Sequence, residues 1–364
     1  MIFILFFVIA FLYSLLIIWY WNGWKHTPHF QSDKTKQYAP LSIIVPYRNA
    51  SSSFIQLLDY LETKNHLPFE VLLIDDFSDQ IFDLSNEYSF PIQKLTLEDF
   101  NTSLTSHKNN KKEAIDYGIS QSNFPYILCT DSDVLPSENW LEGMMHFTRK
   151  HKPKFAAGIH RYLLQPSFLN YFLSLEQDNY TAISCAGIFQ KHPTMCNGAN
   201  MIFEKSAYDE VGGYEGLLHI NGGDDMLLLH RIQAKFPKNT HFIKSLETAV
   251  FSEAPKDFKS LFFQRKRWLS KSFDYENKWV GVQMFIALSA NLMVVFSIII
   301  GFYQPFLFFF VFWKMLVDSA FLLSQQAFFN FKKNYVWFGL SLWMYPFYVL
   351  MLSFDFFKSK LFHK

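Results

Sequence analysis

Charge is missing from the ends of this chain, and cysteine is scarce throughout it. Residues 1–24 contain no Asp, Glu, Lys or Arg, and neither do residues 279–313. Such runs do not belong to a water-soluble surface, and about 20 apolar residues suffice to span a hydrocarbon core as a helix. Net charge over all 364 residues is only +1, so bulk electrostatics give no reason to expect a nucleic-acid partner. The three cysteines, Cys129, Cys185 and Cys196, show no paired metal-ligand spacing. Their odd number, with the cytoplasmic placement argued below, makes reduced thiols the expectation. What the chain has in excess is aromatic surface, with 43 Phe, 18 Tyr and 9 Trp, which rules out a disordered polymer.

The small net charge hides a division. Residues 25–278 carry 27 basic and 30 acidic side chains, whereas residues 279–364 carry six Lys and two Asp. The middle therefore reads as a soluble domain held between apolar ends. Residues 1–24 lack the basic start and small-residue cleavage site of a signal peptide. They end instead in Trp19, Tyr20, Trp21 and Trp24, an interfacial aromatic belt. The 35 residues from Trp279 to Trp313 are too long for one span and suit a hairpin, with arms near 280–300 and 304–324 and a turn marked by Gly301 and Pro305. Lys314 and Asp318 are four apart, share a helix face and are able to pair. Asn334 to Phe354, interrupted by Pro346, reads either as a further span or as a bent helix lying in the interface. Lys25, Lys34 and Lys36 after the first span, and Lys332 and Lys333 after the hairpin, put the middle in the cytoplasm. A crossing by 335–357 would leave Lys358, Lys360 and Lys364 outside against that rule. A re-entrant or surface-lying last helix removes the conflict.

In the middle, strand and helix patterns alternate. "LSIIVPY" (41–47), "FEVLLIDD" (69–76), "QKLTL" (93–97) and "YILCTDSD" (126–133) read as strands, and residues 51–66 and 109–122 as helices. Continuous apolar strands joined by helices imply a parallel sheet covered on both faces, which binds ligands at the carboxyl ends of its strands. Two of those ends are acidic, at Asp75-Asp76 and at Asp131-Ser132-Asp133. One such end is an ordinary turn, but two in one sheet point to a site.

Carboxylates on alternate residues at a strand end are a hard-oxygen set for Mg2+ or Mn2+. The D-x-D spacing alone is weak, and its place after a buried strand strengthens it. In "INGGDDMLLLHRI" (220–232) a tight Asn221-Gly222-Gly223 turn precedes Asp224 and Asp225 at a helix start. There a carboxylate serves either as an N-cap or, for Asp225, as a general base. "PKDFKSLFFQRKRWLSKS" (255–272) sets six basic residues against one acid on an amphipathic helix before the hairpin, which reads as interfacial. Its Arg267 suits a diphosphate and its Trp268 a sugar face.

Taken together, these residues resemble a membrane-bound family 2 glycosyltransferase, over about 40–272. "SIIVPYRN" resembles that family's first strand, including Pro46, and "LLIDDFSD" its uracil-contacting element. "NKKEAIDYGI" resembles its Lys segment through Lys111, with Asn110 where the family has Gly. "YILCTDSD" resembles its metal D-x-D, "CNGANMIFEKSAYDEVGGYEG" its acceptor-side N-G-x-N element, "GGDD" its base position, and "QRKRW" its Q-x-x-R-W.

The resemblance implies an α/β fold, a GT-A nucleotide-sugar-binding, Rossmann-like domain with N- and C-terminal transmembrane helices. It implies a domain order of anchor (1–24), cytoplasmic GT-A domain (25–255), interfacial helix with Q-x-x-R-W (256–278) and transmembrane region of two or three helices (279–364). It also implies an inverting transfer in which Pro46, Asp75, Asp76, Lys111, Asp131, Gln264 and Arg267 bind the nucleotide-sugar. Asp131 and Asp133 would hold Mg2+ or Mn2+. Asp225 would act as base beside Asp224, with Arg267 aiding catalysis at the diphosphate, and Asn197, Gly198 and Trp268 would contact the acceptor. The expected partners are a UDP-sugar donor and a membrane lipid or glycan acceptor, in a plasma or inner membrane, with self-association left open. The rivals are a processive polysaccharide synthase, for which three or four helices offer a narrow channel, and a non-catalytic scaffold or transporter.

Overall fold

The computed structural model describes residues 2–32, 37–80, 82–83, 88–100, 110–163, 165–220, 222–271, 275, 277–330 and 334–362. Lys34, Lys36, Asn221, Lys332, Lys333 and Lys364, invoked above, lie outside the described residues, as do the side chains of Lys271 and Lys360. In chain order the elements are α1 (Ile2–His26), β1 (Leu41–Tyr47), α2 (Ser52–Glu62), β2 (Phe69–Asp75), β3 (Ile92–Thr96), α3 (Leu97–Phe100), α4 (Lys111–Gln121), β4 (Tyr126–Cys129), β5 (Val134–Pro136), α5 (Trp140–His151), β6 (Phe155–Ala157), β7 (His160–Leu163), α6 (Phe168–Phe189), β8 (Met201–Glu204), α7 (Lys205–Glu210), α8 (Asp224–Lys235), β9 (Thr240–Phe242), β10 (Val250–Glu253), α9 (Phe258–Lys271), α10 (Lys278–Gly301), α11 (Phe308–Phe329) and α12 (Tyr335–Phe362). They form two compact units, Thr27–Leu163 with Met195–Glu253, and Met1–His26 with Leu164–Thr194 and Ala254–Lys364.

The first unit is built on a seven-stranded sheet of order β3-β2-β1-β4-β8-β6-β9. β1 pairs in parallel with β2 on one side and with β4 on the other, while β8 runs antiparallel to both β4 and β6. The sheet is thus parallel where the sequence expects it and mixed beyond β4, because β8 enters from a loop rather than from a covering helix. β1 and β2 are largely apolar and all but Pro46 in them is buried, as strands covered on both faces require. Pro46 has no N–H to donate, and it stands beyond Ile44, the last β1 residue paired with β4. Of the two acids in β2, Glu70 and the terminal Asp75, the first is buried but satisfied. It accepts from the Ser42 hydroxyl at 2.6 Å and from the Asn123 backbone and side-chain amides, each at 2.6 Å.

α2 buries Phe54, Leu57, Leu58 and Leu61 completely, each worth about 1.5–3 kcal/mol of transfer free energy. Ser51 caps it by accepting from the Phe54 N–H at 3.3 Å. It stops at Glu62, sooner than the sequence suggests, since residues 63–67 turn back on themselves ahead of Pro68. A small sheet of order β5-β10-β7 completes the unit. β1 lies between β2 and β4, so the chain leaves it in both directions. Its carboxyl end is the crevice where sheets of this kind take ligands.

The second unit is helical. Four of its segments, Ile2–His26, Lys278–Gly301, Pro305–Phe329 and Tyr335–Lys358, are long and apolar enough to cross a membrane. At 1.5 Å per residue, 24 or 25 residues reach about 36 Å, against a core of about 30 Å. The expected hairpin is present as α10 and α11, joined by a short 3-10 turn at Pro305–Leu307. α12 runs through Pro346 as one helix. The expected intrahelical pair also forms. Lys314 donates to Asp318 at 2.5 Å, and the Tyr13 hydroxyl of α1 donates to the same carboxylate at 2.6 Å. A buried cation on a long apolar helix is thereby neutralised inside the bundle.

Candidate active site

Three loops leave the carboxyl ends of β1, β2 and β4. The first two are stitched together. Asn49 donates its N–H to Ser78 Oγ at 2.8 Å and its side-chain amide to Asp79 at 3.0 Å, and Asp79 N–H returns to Asn49 Oδ1 at 2.8 Å. Asn49 and Phe77 both hold positive φ, 58° and 55°, which costs a residue with a Cβ roughly 1–2 kcal/mol each. Strained backbone in paired loops above a sheet is commonly found at functional sites.

Asp75 and Asp76, which the sequence treats alike, differ here. Asp75 is buried and works inside the fold, accepting from the Tyr47 hydroxyl at 3.2 Å and from the Ser78 N–H at 2.9 Å. Asp76 is partly exposed and accepts from Asn110 Nδ2 at 2.9 Å. Burial raises the Asp76 carboxyl pKa, only partly offset by its hydrogen bonds to Asn110 and by Arg48. It is the member of the pair able to meet a ligand.

The centre of the site is Lys111, the first residue of α4. Its ammonium lies 2.5 Å from Asp131 Oδ1, just past β4, and 3.2 Å from Asp224 Oδ2, the first residue of α8. Burial disfavours the ammonium, yet Asp131 and Asp224 outweigh it, so the Lys111 pKa stands well above the ordinary lysine value. Asp225 completes the cluster. Its Oδ2 accepts the Gly198 N–H at 3.1 Å, and its Oδ1 accepts the N–H of Met226 at 2.8 Å. Asp224 is buried, whereas Asp225 is partly exposed. Gly198 is needed for this approach, because a Cβ there would stand 2.8 Å from Asp224 Oδ2 and 3.3 Å from Lys111 Nζ. Asn197 turns inward, its Oδ1 accepting from Ala199 N–H at 2.9 Å. Asp133 is exposed at the turn between β4 and β5.

Several supporting residues carry no motif and escape a reading of the sequence. Lys112 is 2% exposed, and its ammonium donates to the carbonyls of Ile220 and, at 3.0 Å, Gly222. That ties down the turn in which Gly222 and Gly223 both hold φ above +70°, and so aims Asp224 and Asp225. Asn200, fully buried, donates to the carbonyls of Ile159 and Thr248 at 2.9 and 2.8 Å and accepts from the Trp140 indole at 3.0 Å. Thr130 donates to the Ala199 carbonyl at 2.8 Å, linking the end of β4 to the Gly198 loop. The legible signal was only that Lys111 and Lys112 are adjacent, and adjacent helical residues point apart. Burial pushes the Cys129 and Cys196 thiols up, which works against either serving as a nucleophile.

Among the described residues no three His, Cys, Asp or Glu side chains converge into a preformed metal cage. The chemistry of Asp131 and Asp133 nevertheless fits Mg2+ or Mn2+. Such ions are commonly bound through one or two carboxylates, with phosphate oxygens and water supplying the rest.

Residues 42–212, from β1 to just beyond α7, match the family described as glycosyl transferase family 2. Over those residues the chain is similar to family 2 glycosyltransferases. The match covers Pro46, Asp75, Asp76, Lys111, Asp131, Asp133, Asn197 and Gly198 and ends before Asp224. The transferase reading of the sequence and its α/β, GT-A fold are borne out. Among solved structures, the mannosyltransferase PcManGT from Pyrobaculum calidifontis in complex with GDP-Man and Mn2+ is 14% identical. It superposes with a TM-score of 0.55 over 89% of this chain and 96% of its own. Mannosyl-3-phosphoglycerate synthase from Rubrobacter xylanophilus is 11% identical, with a TM-score of 0.43 over 64% of this chain and 73% of that one. TarS of S. aureus is 17% identical, with a TM-score of 0.39 over 67% and 42%. No curated protein sequence matches.

The remaining expected site residues, Gln264, Arg267 and Trp268, lie on α9 of the helical unit of the transferase. Asp257 and Ser260 cap that helix reciprocally, with Ser260 N–H to Asp257 Oδ1 at 2.7 Å and Asp257 N–H to Ser260 Oγ at 3.2 Å. Arg267 is exposed, while Gln264 and Trp268 are partly buried.

Proposed function

We propose that this transferase moves a sugar from a nucleotide-sugar, a UDP-sugar by the Asp75-Asp76 element, to a membrane-associated lipid, with inversion. The observation that carries the reading is the convergence of Asp131, Asp224 and Asp225 around Lys111 at the carboxyl edge of the sheet. A cationic side chain ringed by carboxylates is suited to a substrate that brings both phosphate and a metal ion. The Pyrobaculum calidifontis enzyme carries GDP-Man and Mn2+ on the same fold, which supports that donor class and a divalent ion.

Asp76 would accept from the base of the nucleotide while Asp75 keeps the loop in shape. Lys111 would exchange Asp131 for the diphosphate, and Arg267 would add a second cation to it, with Gln264 beside it. Asp131 and Asp133 would hold Mg2+ or Mn2+, which when bound offsets charge on the departing nucleotide diphosphate. Asp225, oriented by the N–H groups of Gly198 and Met226 and more exposed than Asp224, would take the proton of the acceptor hydroxyl. Such general-base help is worth about 10²–10⁴-fold. Asn197, Gly198 and Trp268 would line the acceptor side. Four apolar helices suit an acceptor that resides in the membrane, with the catalytic domain on its cytoplasmic side.

The test is nucleotide diphosphate release and product size in membranes given radiolabelled UDP-sugars and GDP-Man with Mg2+ or Mn2+. A discrete labelled lipid is expected. A polymer would replace single transfer by processive synthesis, and no turnover of any donor would refute the reading. Asp225→Asn should fold and bind donor yet transfer no sugar, and full activity in that variant would move the base elsewhere.

A further inference from the structure

The first basic residue of the "QRKRW" segment, Arg265, has no role in the reading above, yet it is the most buried of the described cations of α9. Its side chain is 2% exposed and that of its partner Glu176, on α6, is 1% exposed. Arg265 Nε and Nη2 both donate to Glu176 Oε2, at 3.1 and 2.7 Å. The other oxygen, Oε1, accepts from the Tyr180 hydroxyl at 2.7 Å. The third arm of the guanidinium, Nη1, donates to Gln264 Oε1 at 2.7 Å. Its Cζ lies over the Trp268 ring at 4.1 Å from the centroid and over the Tyr180 ring at 5.5 Å.

We infer that the Glu176–Arg265 pair is a positioning device that fixes Gln264 and Trp268 of the Q-x-x-R-W segment. The inference rests on the proposed acceptor role of Trp268. A buried ion pair is weak evidence for stability, since desolvation offsets much of its attraction and a well-packed apolar pair often serves as well. What an apolar pair cannot do is present a planar fork that hydrogen-bonds one neighbour while stacking on another. Arg265 spends one donor on Gln264 and its face on Trp268, two residues of the segment, and Glu176 with Tyr180 holds it in that plane. Arg265 and Arg267, two apart, point away from each other on the helix. One is turned in to set the segment and the other is left exposed for a ligand.

The experiment uses the full chain labelled with 5-fluorotryptophan in detergent, the Trp268 19F resonance being assigned with Trp268→Phe. The variant replaces both partners, Glu176→Leu with Arg265→Met, so that no unpaired charge is buried and the fold survives. A melting temperature within a few degrees of wild type confirms that. The Trp268 resonance should shift or broaden in the double variant, and an unchanged resonance overturns the inference. In membranes given UDP-glucose or GDP-Man, transfer should fall on the order of 10²-fold, as misplacement of a positioning group can cost, with donor hydrolysis retained. Trp268→Ala should then cost little more in the double variant than it leaves already lost. Additive losses would mean that the pair only packs the bundle, and would overturn it too. A wild-type protein that uses neither donor would sink the lipid-transfer reading instead, and the 19F result would still decide whether the pair holds Trp268. Should the apolar double variant fail to fold, Arg265→Lys, which keeps the charge and loses the fork, takes its place. It should move the same resonance, and an unmoved resonance there refutes the inference.

Discussion

Lys111→Met removes the one cation at the centre of three carboxylates, and its cost can be bounded from the geometry. An exposed ion pair is worth about 0–1 kcal/mol, and breaking a buried one costs about 3–5 kcal/mol. Lys111, Asp131 and Asp224 have side-chain exposures of 24%, 34% and 8%, between those limits. A loss of about 2 kcal/mol is therefore expected. In a domain of about 200 residues each kcal/mol moves the melting temperature by about 2–4 °C, so the variant should melt about 4–8 °C lower. Because the loss is of positive charge, Mn2+ should restore part of it, and should stabilise the variant more than it stabilises the wild type. The sign of the pH dependence follows from the raised Lys111 pKa. A raised folded-state value means that the contribution is complete below the ordinary lysine pKa of about 10.4, and is lost only as pH rises through the folded value. The gap between the two proteins should thus stay flat between about pH 7 and 9 and close only in stronger alkali. Differential scanning fluorimetry in detergent, with and without Mn2+, measures all three effects. Melting within 1 °C of wild type together with an identical response to about 1 mM Mn2+ would refute the claim that Lys111 is the resident counter-charge of these carboxylates.

Other perturbations separate support from chemistry. Gly198→Ala would put a methyl carbon 2.8 Å from Asp224 Oδ2, and since the neighbours are flexible side-chain ends, melting should barely change while turnover falls about tenfold or more. Lys112→Met leaves the Ile220 and Gly222 carbonyls without their shared donor, so a loss of about 1–3 kcal/mol in stability should accompany the loss of activity. Asp76 must be ionised to accept from a base, and burial raises its pKa, so donor KM measured against pH should begin to climb on acidification sooner than an ordinary aspartate would dictate. Asp76→Asn should abolish that dependence.

The parallel half of the sheet was legible because β1, β2 and β4 are largely apolar and two of them, β2 and β4, run into acids. "LSIIVPY" and "FEVLLID" need no partner information to be read, and the two acidic ends already placed a crevice beside β1. β8 was not legible as antiparallel, since "MIFE" is four residues long and strand direction leaves no trace in so short a run. The carboxylates of the site were legible one by one, but their order of importance was not. Asp75 and Asp76 are identical in composition and adjacent in sequence, and only the Tyr47 hydroxyl, from the end of β1, and the Ser78 N–H, from the loop after β2, make one structural and leave the other partly open. The same holds for Arg265 and Arg267. A basic amphipathic helix advertises its cations as solvated, and nothing in "QRKRW" says that one of them is buried against a glutamate 89 positions earlier. Motifs mark residues that touch ligands, because ligand chemistry restricts residue type at fixed spacing. The residues that hold the motif in place, such as Lys112, Asn200 and Glu176, are chosen by long-range geometry, and only the folded chain brings their partners together.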